Sequence, residues 1–357
     1  MPSEEKFESW SMIPSKFMAS RLAPSAPLPV KDGLNPTRVR VPKPHPLTAL
    51  ALVTHMVTTQ RHRHPDDDAA AILARFTAGE VLLGDGSVLR PQDIVYPGQD
   101  VYFYRIPAPE EPVPFSVETV FEDENILVVN KPPFLAVTPR GAHITETVLT
   151  RLRIQTGNVA LSPAHRLDRL TQGLLLLTKQ AAVRGAYQGL FDRRDVVKTY
   201  RAVGAAAPSA HPVQPLPTAP FWWRSRIEKT VGDLRARTVP GPVNAVTEVL
   251  SVRLLEPDPT PLGLALEPTG PDPLGPTPCH AEFILRPHTG KTHQLRLHMA
   301  EAGWPIVGDP IYSPGSTATA APGHGEFSDD YDHPLQLTAF HLAFTDPITG
   351  QPREFNL

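Results

Sequence analysis

The residues best suited to chemistry in this 357-residue chain lie together at 165–169, His165-Arg166-Leu167-Asp168-Arg169. Asp168 stands between two arginines, one two positions before it and one directly after. Positive charge this close favours an ionised carboxylate. That suits a nucleophile, a general base, or a site for an anionic, phosphate-bearing substrate. The same residues would also make a capped turn with solvated arginines. Four leucines, Leu174 to Leu177, follow between Gly173 and Lys179. So short an apolar run after a glycine predicts a strand buried on both faces more readily than a core helix. A polar loop at the mouth of such a strand is a rigid place to hold a reactive group.

A second polar cluster lies at His288-Thr-Gly-Lys-Thr-His-Gln-Leu-Arg-Leu-His298. Gly290-Lys291-Thr292 does not complete a phosphate loop, because the glycine required five positions earlier is Leu285. His288, His293 and His298 are spaced by five, not by the four that put two ligands on one helical face. The run reads better as a turn into a basic helix. Its N-terminal amides, with Lys291 and Arg296, would hold a phosphate or the Asp168 carboxylate.

The elements that must position these groups can be read in order. Residues 1–44 are proline-broken, with no readable packed element. From His45 to Ile106 the pattern gives a helix with Leu47, Leu50, Leu52, Val53 and Met56 on one stripe, and a second helix from Ala69. A hairpin then turns around Gly84-Asp85-Gly86, and a strand follows Pro97-Gly98-Gln99-Asp100. Asp66-Asp67-Asp68 puts negative charge at the favourable end of the second helix. Residues 107–114 form a proline-rich linker. The remainder, 115–357, predicts strands at Ile126–Val129, Lys198–Val203, Phe221–Arg226, Asn244–Val252 and Ala281–Arg286, and helices at Thr145–Gln155 and Ala181–Phe191. Two proline-rich insertions fall at 205–220 and 256–278. Trp222 and Trp223 are placed in the core or at its rim.

Composition narrows the class. Apolar content of 41% and charged content of 20% are globular values, while 43 prolines exceed the usual share of about 5% and point to long irregular connections. A single cysteine, Cys279, leaves no internal disulfide and fits a reducing cytoplasm. No leader pattern opens the chain and no membrane-length apolar run occurs, so a soluble, cytoplasmic protein is expected. The net charge is −3, yet residues 131–205 hold 12 Lys and Arg against 4 Asp and Glu. Such a local surplus is what phosphate contacts need.

The motifs themselves resemble a known family. His165-Arg-Leu-Asp-Arg-Leu-Thr-Gln-Gly-Leu-Leu-Leu looks like the catalytic motif of the RluA family of RNA pseudouridine synthases. Val129-Asn-Lys-Pro-Pro-Phe-Leu-Ala-Val is similar to its first motif. Lys198-Thr-Tyr-Arg-Ala resembles the strand bearing its active-site tyrosine. His288 to His298, with Pro305-Ile-Val-Gly-Asp-Pro-Ile-Tyr312, resembles its last motif. Gln172, Thr138 and Lys291 depart from the Ser, His and Arg usual there, and none of these removes the aspartate.

The resemblance implies an α+β fold: a large, bent, mixed and mostly antiparallel sheet flanked by helices, beside a small N-terminal α/β domain. It implies isomerisation of uridine in ribosomal (large-subunit) or transfer RNA, with no cofactor and no metal. The implied partner is RNA rather than DNA or membrane, and the implied state is a monomer. Asp168 would act at C1′, either by attacking the sugar or by generating a glycal. Arg166 would fill the space left by the flipped base, Tyr200 would stack on the uracil, and Arg296 would pair with Asp168. Lys291 and His165 would complete substrate binding, and Arg169 would be the dispensable neighbour. Residues 45–106, through Ala78-Gly-Glu-Val-Leu-Leu and Pro97-Gly-Gln-Asp-Val, resemble the small RNA-binding domain first seen in a ribosomal small-subunit protein, although their helix pair is acidic where that family is basic. A non-catalytic RNA-binding or ribosome-assembly protein is the alternative. A carboxylate glycosidase would need a second acid beside Asp168 where the loop offers arginines.

Overall fold

The computed structural model describes residues 26–206, 218–255, 279–314, 316 and 329–357. The expected insertion at 256–278 and most of that at 205–220 lie outside the described residues. Contacts divide the chain into two units, 1–31 with 35–106, and 32–34 with 107–357. Among the described residues no helix is long and apolar enough to cross a membrane.

The first unit runs β1 (Thr37–Arg40), β2 (Leu47–Thr48), α1 (Ala49–Thr58), α2 (Ala69–Thr77), β3 (Val81–Leu83), β4 (Ile94–Val95) and β5 (Asp100–Phe103). β5 lies between β1 and β3, and β2 pairs with β4. The pairing of β1 with β5 corrects the reading of residues 1–44 as wholly irregular. Val39 enters the core between outward Arg38 and Arg40, but four residues between prolines carry too little periodicity to show it. The acidic run before α2 serves structure. Asp68 caps the helix by accepting from the Ala71 N–H at 2.9 Å, and buried Asp67 accepts from Arg75 Nη2 at 2.6 Å.

The second unit runs β6 (Glu118–Glu122), β7 (Ile126–Lys131), α3 (Val148–Thr156), β8 (Ser162–Pro163), β9 (Gln172–Thr178), α4 (Ala181–Arg193), β10 (Val196–Ala205), β11 (Phe221–Ser225), β12 (Ile227–Glu228), β13 (Arg237–Thr238), β14 (Ala245–Leu254), β15 (His280–Pro287), α5 (Gln294–Glu301), β16 (Leu337–Thr345) and β17 (Pro352–Asn356). Ten strands form one sheet in the order β11-β14-β15-β10-β16-β9-β7-β6, with β17 on β16 and β8 on β9. Every pairing is antiparallel except β9 with β16. The α+β expectation of a large, mixed, mostly antiparallel sheet is met.

The four leucines split between the two faces of β9, as alternation requires. Leu175 and Leu177 join the core shared with α3 and α5, and Leu174 and Leu176 join the core under α4. β16 went unread in the sequence, although Leu337, Ala339, Leu342 and Phe344 are buried. It is the strand that joins the two halves of the sheet. At the junction Gly173, with φ +118°, lies opposite Ala339, and a Cβ there would meet the Ala339 carbonyl oxygen at 2.3 Å. Gly173→Ala should therefore cost roughly 2–4 kcal/mol, through strain and a parted ladder. Thermal unfolding checks this, and a melting temperature equal to the parent's would refute it.

Candidate active site

Asp168 sits half-buried on the loop between β8 and β9, its backbone oxygen accepting from the Thr171 N–H at 3.1 Å. Its side chain makes no hydrogen bond or ion pair among the described residues. Its charge is nevertheless felt by groups on five separate segments: Lys131 at the end of β7, Tyr200 on β10, Lys229 after β12, His293 and Arg296 at the start of α5, and Tyr312. The Asp168 carboxylate is thus set among groups from five segments with its oxygens uncommitted.

Several clamps fix the loop. Lys131 is fully buried and donates to three carbonyls, those of Pro132 at 2.7 Å, Leu135 at 2.9 Å and Arg169 at 2.9 Å. Burial pushes the lysine well below its usual range, against the pull of Asp168. Three acceptors match the three protons of an ammonium. Arg169 forks onto Asp329 at 2.6 and 2.7 Å and also donates to the Phe134 carbonyl at 3.3 Å. This corrects the reading of Arg169 as dispensable: it anchors the backbone next to Asp168. Arg166, by contrast, is exposed. Arg169→Ala should lower stability by roughly 1–2 kcal/mol, whereas Arg166→Ala should leave the melting temperature within about 1 °C and act on turnover. Melting curves beside single-turnover rates separate the two, and the reverse pattern would refute the assignment.

His165 does not reach the cleft. Its Nε2 accepts from the Leu176 N–H at 3.1 Å and its ring stacks on Phe191 with centroids 4.3 Å apart. Burial, then nearby Lys198, pushes its pKa down to about 3, so the ring is neutral and free to accept. It braces the loop against β9, which corrects its placement among substrate-binding residues.

Tyr200 is 8% exposed, and a register shift between Thr199 and Tyr200 in the pairing with β16 locally re-aims the chain. Its hydroxyl has no partner among the described residues. Burial, and secondly Asp168, raise its pKa above the ordinary range, keeping a neutral phenol.

Arg296 is the main correction. It does not pair directly with Asp168. Its Nε and Nη2 fork onto Asp309 at 2.7 and 2.6 Å, with both side chains buried. Asp309 also accepts from the Ile311 N–H at 2.8 Å and the Tyr312 N–H at 3.1 Å. Burial alone would raise the Asp309 pKa, but Arg296 and these amides bring it below the usual range. The Tyr312 ring lies 5.4 Å from the guanidinium, and its hydroxyl meets His293 Nδ1 at 3.1 Å. Burial first, then Arg296, pushes His293 down to about 4.

The expected basic helix start is also revised. α5 begins after His293, whose φ is +56° and whose side chain makes no cap. Lys291 stays exposed, its backbone N–H donating to Gln294 Oε1 at 3.2 Å and its carbonyl accepting from the Gln294 N–H at 3.1 Å. His298 lies between Ser225 Oγ and Thr247 Oγ1, both at 2.9 Å, as a core residue. No cluster of three His, Cys, Asp or Glu that could hold a metal occurs among the described residues. Gln172, a departure from the family pattern, donates to Thr338 Oγ1 at 2.7 Å and stitches β9 to β16.

Lys131, Lys229, Asp309 and Tyr312 receive no role from the sequence, and His293 is weighed there only as a metal ligand. Local signals existed for two of them: Lys131 ends an apolar strand before Pro132-Pro133, and Asp309 lies in Gly308-Asp-Pro310. A Cβ on Gly308, at φ +74°, would meet the Pro334 carbonyl at 2.4 Å, so that turn must be tight.

An uncommitted carboxylate whose charge reaches a neutral phenol and a buried Arg–Asp pair makes a candidate site for a polar substrate. Comparison with known proteins gives the class. A model of the RNA pseudouridylate synthase family matches residues 125–301, the span that holds Asp168, Tyr200 and Arg296. The chain is 28% identical over 293 residues to an uncharacterized RNA pseudouridine synthase of Synechocystis, covering 80% of this chain and 88% of that one. It is 26% identical over 292 residues to the ribosomal large subunit pseudouridine synthase D of Zymomonas mobilis, covering 78% and 82%. It is 33% identical over 202 residues to the tRNA pseudouridine(31) synthase of Saccharomyces cerevisiae, covering 54% and 45%. The protein is an RNA-modifying isomerase, converting uridine to pseudouridine. It belongs to the RluA family of RNA pseudouridine synthases.

Proposed function

We propose that the chain acts in the cytoplasm on large-subunit ribosomal or transfer RNA, with Asp168 as its catalytic residue. The observation that carries this is the Asp168 carboxylate, held by Lys131, Arg169 and His165 through the backbone while its own oxygens remain free. A target uridine must leave its stack to reach it, at an unstacking cost of a few kcal/mol. Arg166, exposed two residues before Asp168, would occupy the vacated space. Tyr200 presents a neutral ring and hydroxyl to the flipped uracil, for stacking and for proton transfer at C5. Asp168 then acts at C1′, while the Arg296–Asp309 pair supplies a fixed, internally compensated pair of charges beside it.

Residues 45–106 serve in this reading as an accessory RNA-binding module whose acidic run has been turned to capping and core pairing. The large-subunit and transfer RNA targets are those named for the relatives above. Chemical mapping of pseudouridine in both RNA classes, from a deletion strain and its parent, decides between them. A deletion strain lacking no pseudouridine in either would overturn the proposed substrate.

A further inference from the structure

The two adjacent tryptophans of β11 have separate fates. Trp223 turns inward, with ring centroids 6.1 Å from Phe283 and 6.2 Å from His298. Trp222, on the opposite face, is 43% exposed. The His288 ring lies 4.8 Å from its indole at 39°, and the Arg224 guanidinium lies 5.5 Å from the ring centroid. Glu248 is opposite Trp222 in the ladder, and Arg286 is opposite Glu248. Glu248 meets His288 Nε2 at 3.0 Å and Arg286 Nη1 at 3.5 Å. Arg286 Nε has no hydrogen-bond partner. One carboxylate is thus set against two guanidiniums and an imidazole, so the patch is aromatic and net positive.

β11 is the edge of the ten-stranded sheet. His288 opens a segment that ends at His293, which feels the charge of Asp168. Five residues span at most about 18 Å. A single strand bound at Asp168 and passing over this edge would come within reach of Trp222 on the outer face.

We propose that Trp222, backed by His288 and Arg224, is a stacking platform for an unpaired base in the RNA flanking the target uridine, with Arg286 taking an adjacent phosphate. An exposed indole offers a sequence-tolerant face to any base, and neighbouring arginines add charge attraction to the backbone. A protein partner would call for a broader apolar surround than a lone indole among charges. The inference deepens the proposed function and rests on its RNA substrate.

The test is anisotropy binding of a labelled single-stranded 12-nucleotide oligouridylate to the full-length Asp168→Asn protein, which cannot turn over, with and without Trp222→Ala, Trp222→Phe or Arg224→Ala. Trp222→Ala should weaken binding about tenfold, Arg224→Ala about threefold, and Trp222→Phe less than threefold. In the active protein, Trp222→Ala should lower kcat/KM mainly through KM. Trp222→Ala and Arg224→Ala proteins that melt like the parent and bind within twofold of it would overturn the platform, a face reserved for a protein included. Failure of the proposed function would appear separately, as absence of product from the parent enzyme.

Discussion

Asp168→Asn should abolish pseudouridine formation, by at least about 10⁴-fold in single-turnover rate, since no other group can replace the reacting carboxylate. The same variant should fold and bind RNA as the parent does. The reason lies in its surroundings. Asp168 makes no side-chain hydrogen bond or ion pair among the described residues, so the amide orphans no partner. The loop itself is held by Lys131, Arg169 and His165, none of which uses the carboxylate. A melting temperature within about 2 °C of the parent is expected. Measurable turnover within a hundredfold of the parent would remove Asp168 from its proposed role. Lost binding together with lost activity would point instead to a structural part for this side chain.

Asp309→Ala should bring the largest loss of stability, roughly 3–5 kcal/mol, by leaving Arg296 charged and buried at 2% exposure without its partner. The Ile311 and Tyr312 amides would lose their acceptor as well. The melting temperature should fall by roughly 10 °C for a domain of this size. Adding Arg296→Met should restore part of the loss, because a buried pair replaced by apolar groups of similar volume is often close to neutral. The pH dependence follows from sign. Asp309 is held below its unfolded value, so its contribution is fully present above the ordinary carboxylate pKa and is lost as pH falls through its depressed pKa. Melting curves taken down the acid range should therefore converge for parent and Asp309→Ala. A constant gap across that range would show that the pair does not carry the difference.

Sequence periodicity was enough for much of the scaffold. The leucines of β9, the alternation of β10 and β15 and the stripes of α1 and α3 are local patterns, set by which side chains must be buried. β1 escaped because four residues hold little period, and β16 because its place was set elsewhere. Its buried positions are plain in Leu337, Ala339, Leu342 and Phe344, but its parallel register with β9 pairs residues 166 apart in sequence. Gly173 shows both levels. Its presence before the leucines was readable, while the Ala339 backbone that forbids any larger residue was not.

By itself the sequence determined the ordered motifs that resemble the RluA family. It put forward Asp168, between Arg166 and Arg169, as a candidate reactive group that those residue types alone could equally have made a capped turn. Only the tertiary structure decided which charges meet. Arg296 takes Asp309 and not Asp168, Arg169 takes Asp329, and Arg166 remains exposed. Ion pairing depends on a few ångströms of separation and on burial, and neither is encoded in spacing along the chain. Asp168 keeps its oxygens free because its cationic neighbours already have other partners or lie beyond direct contact.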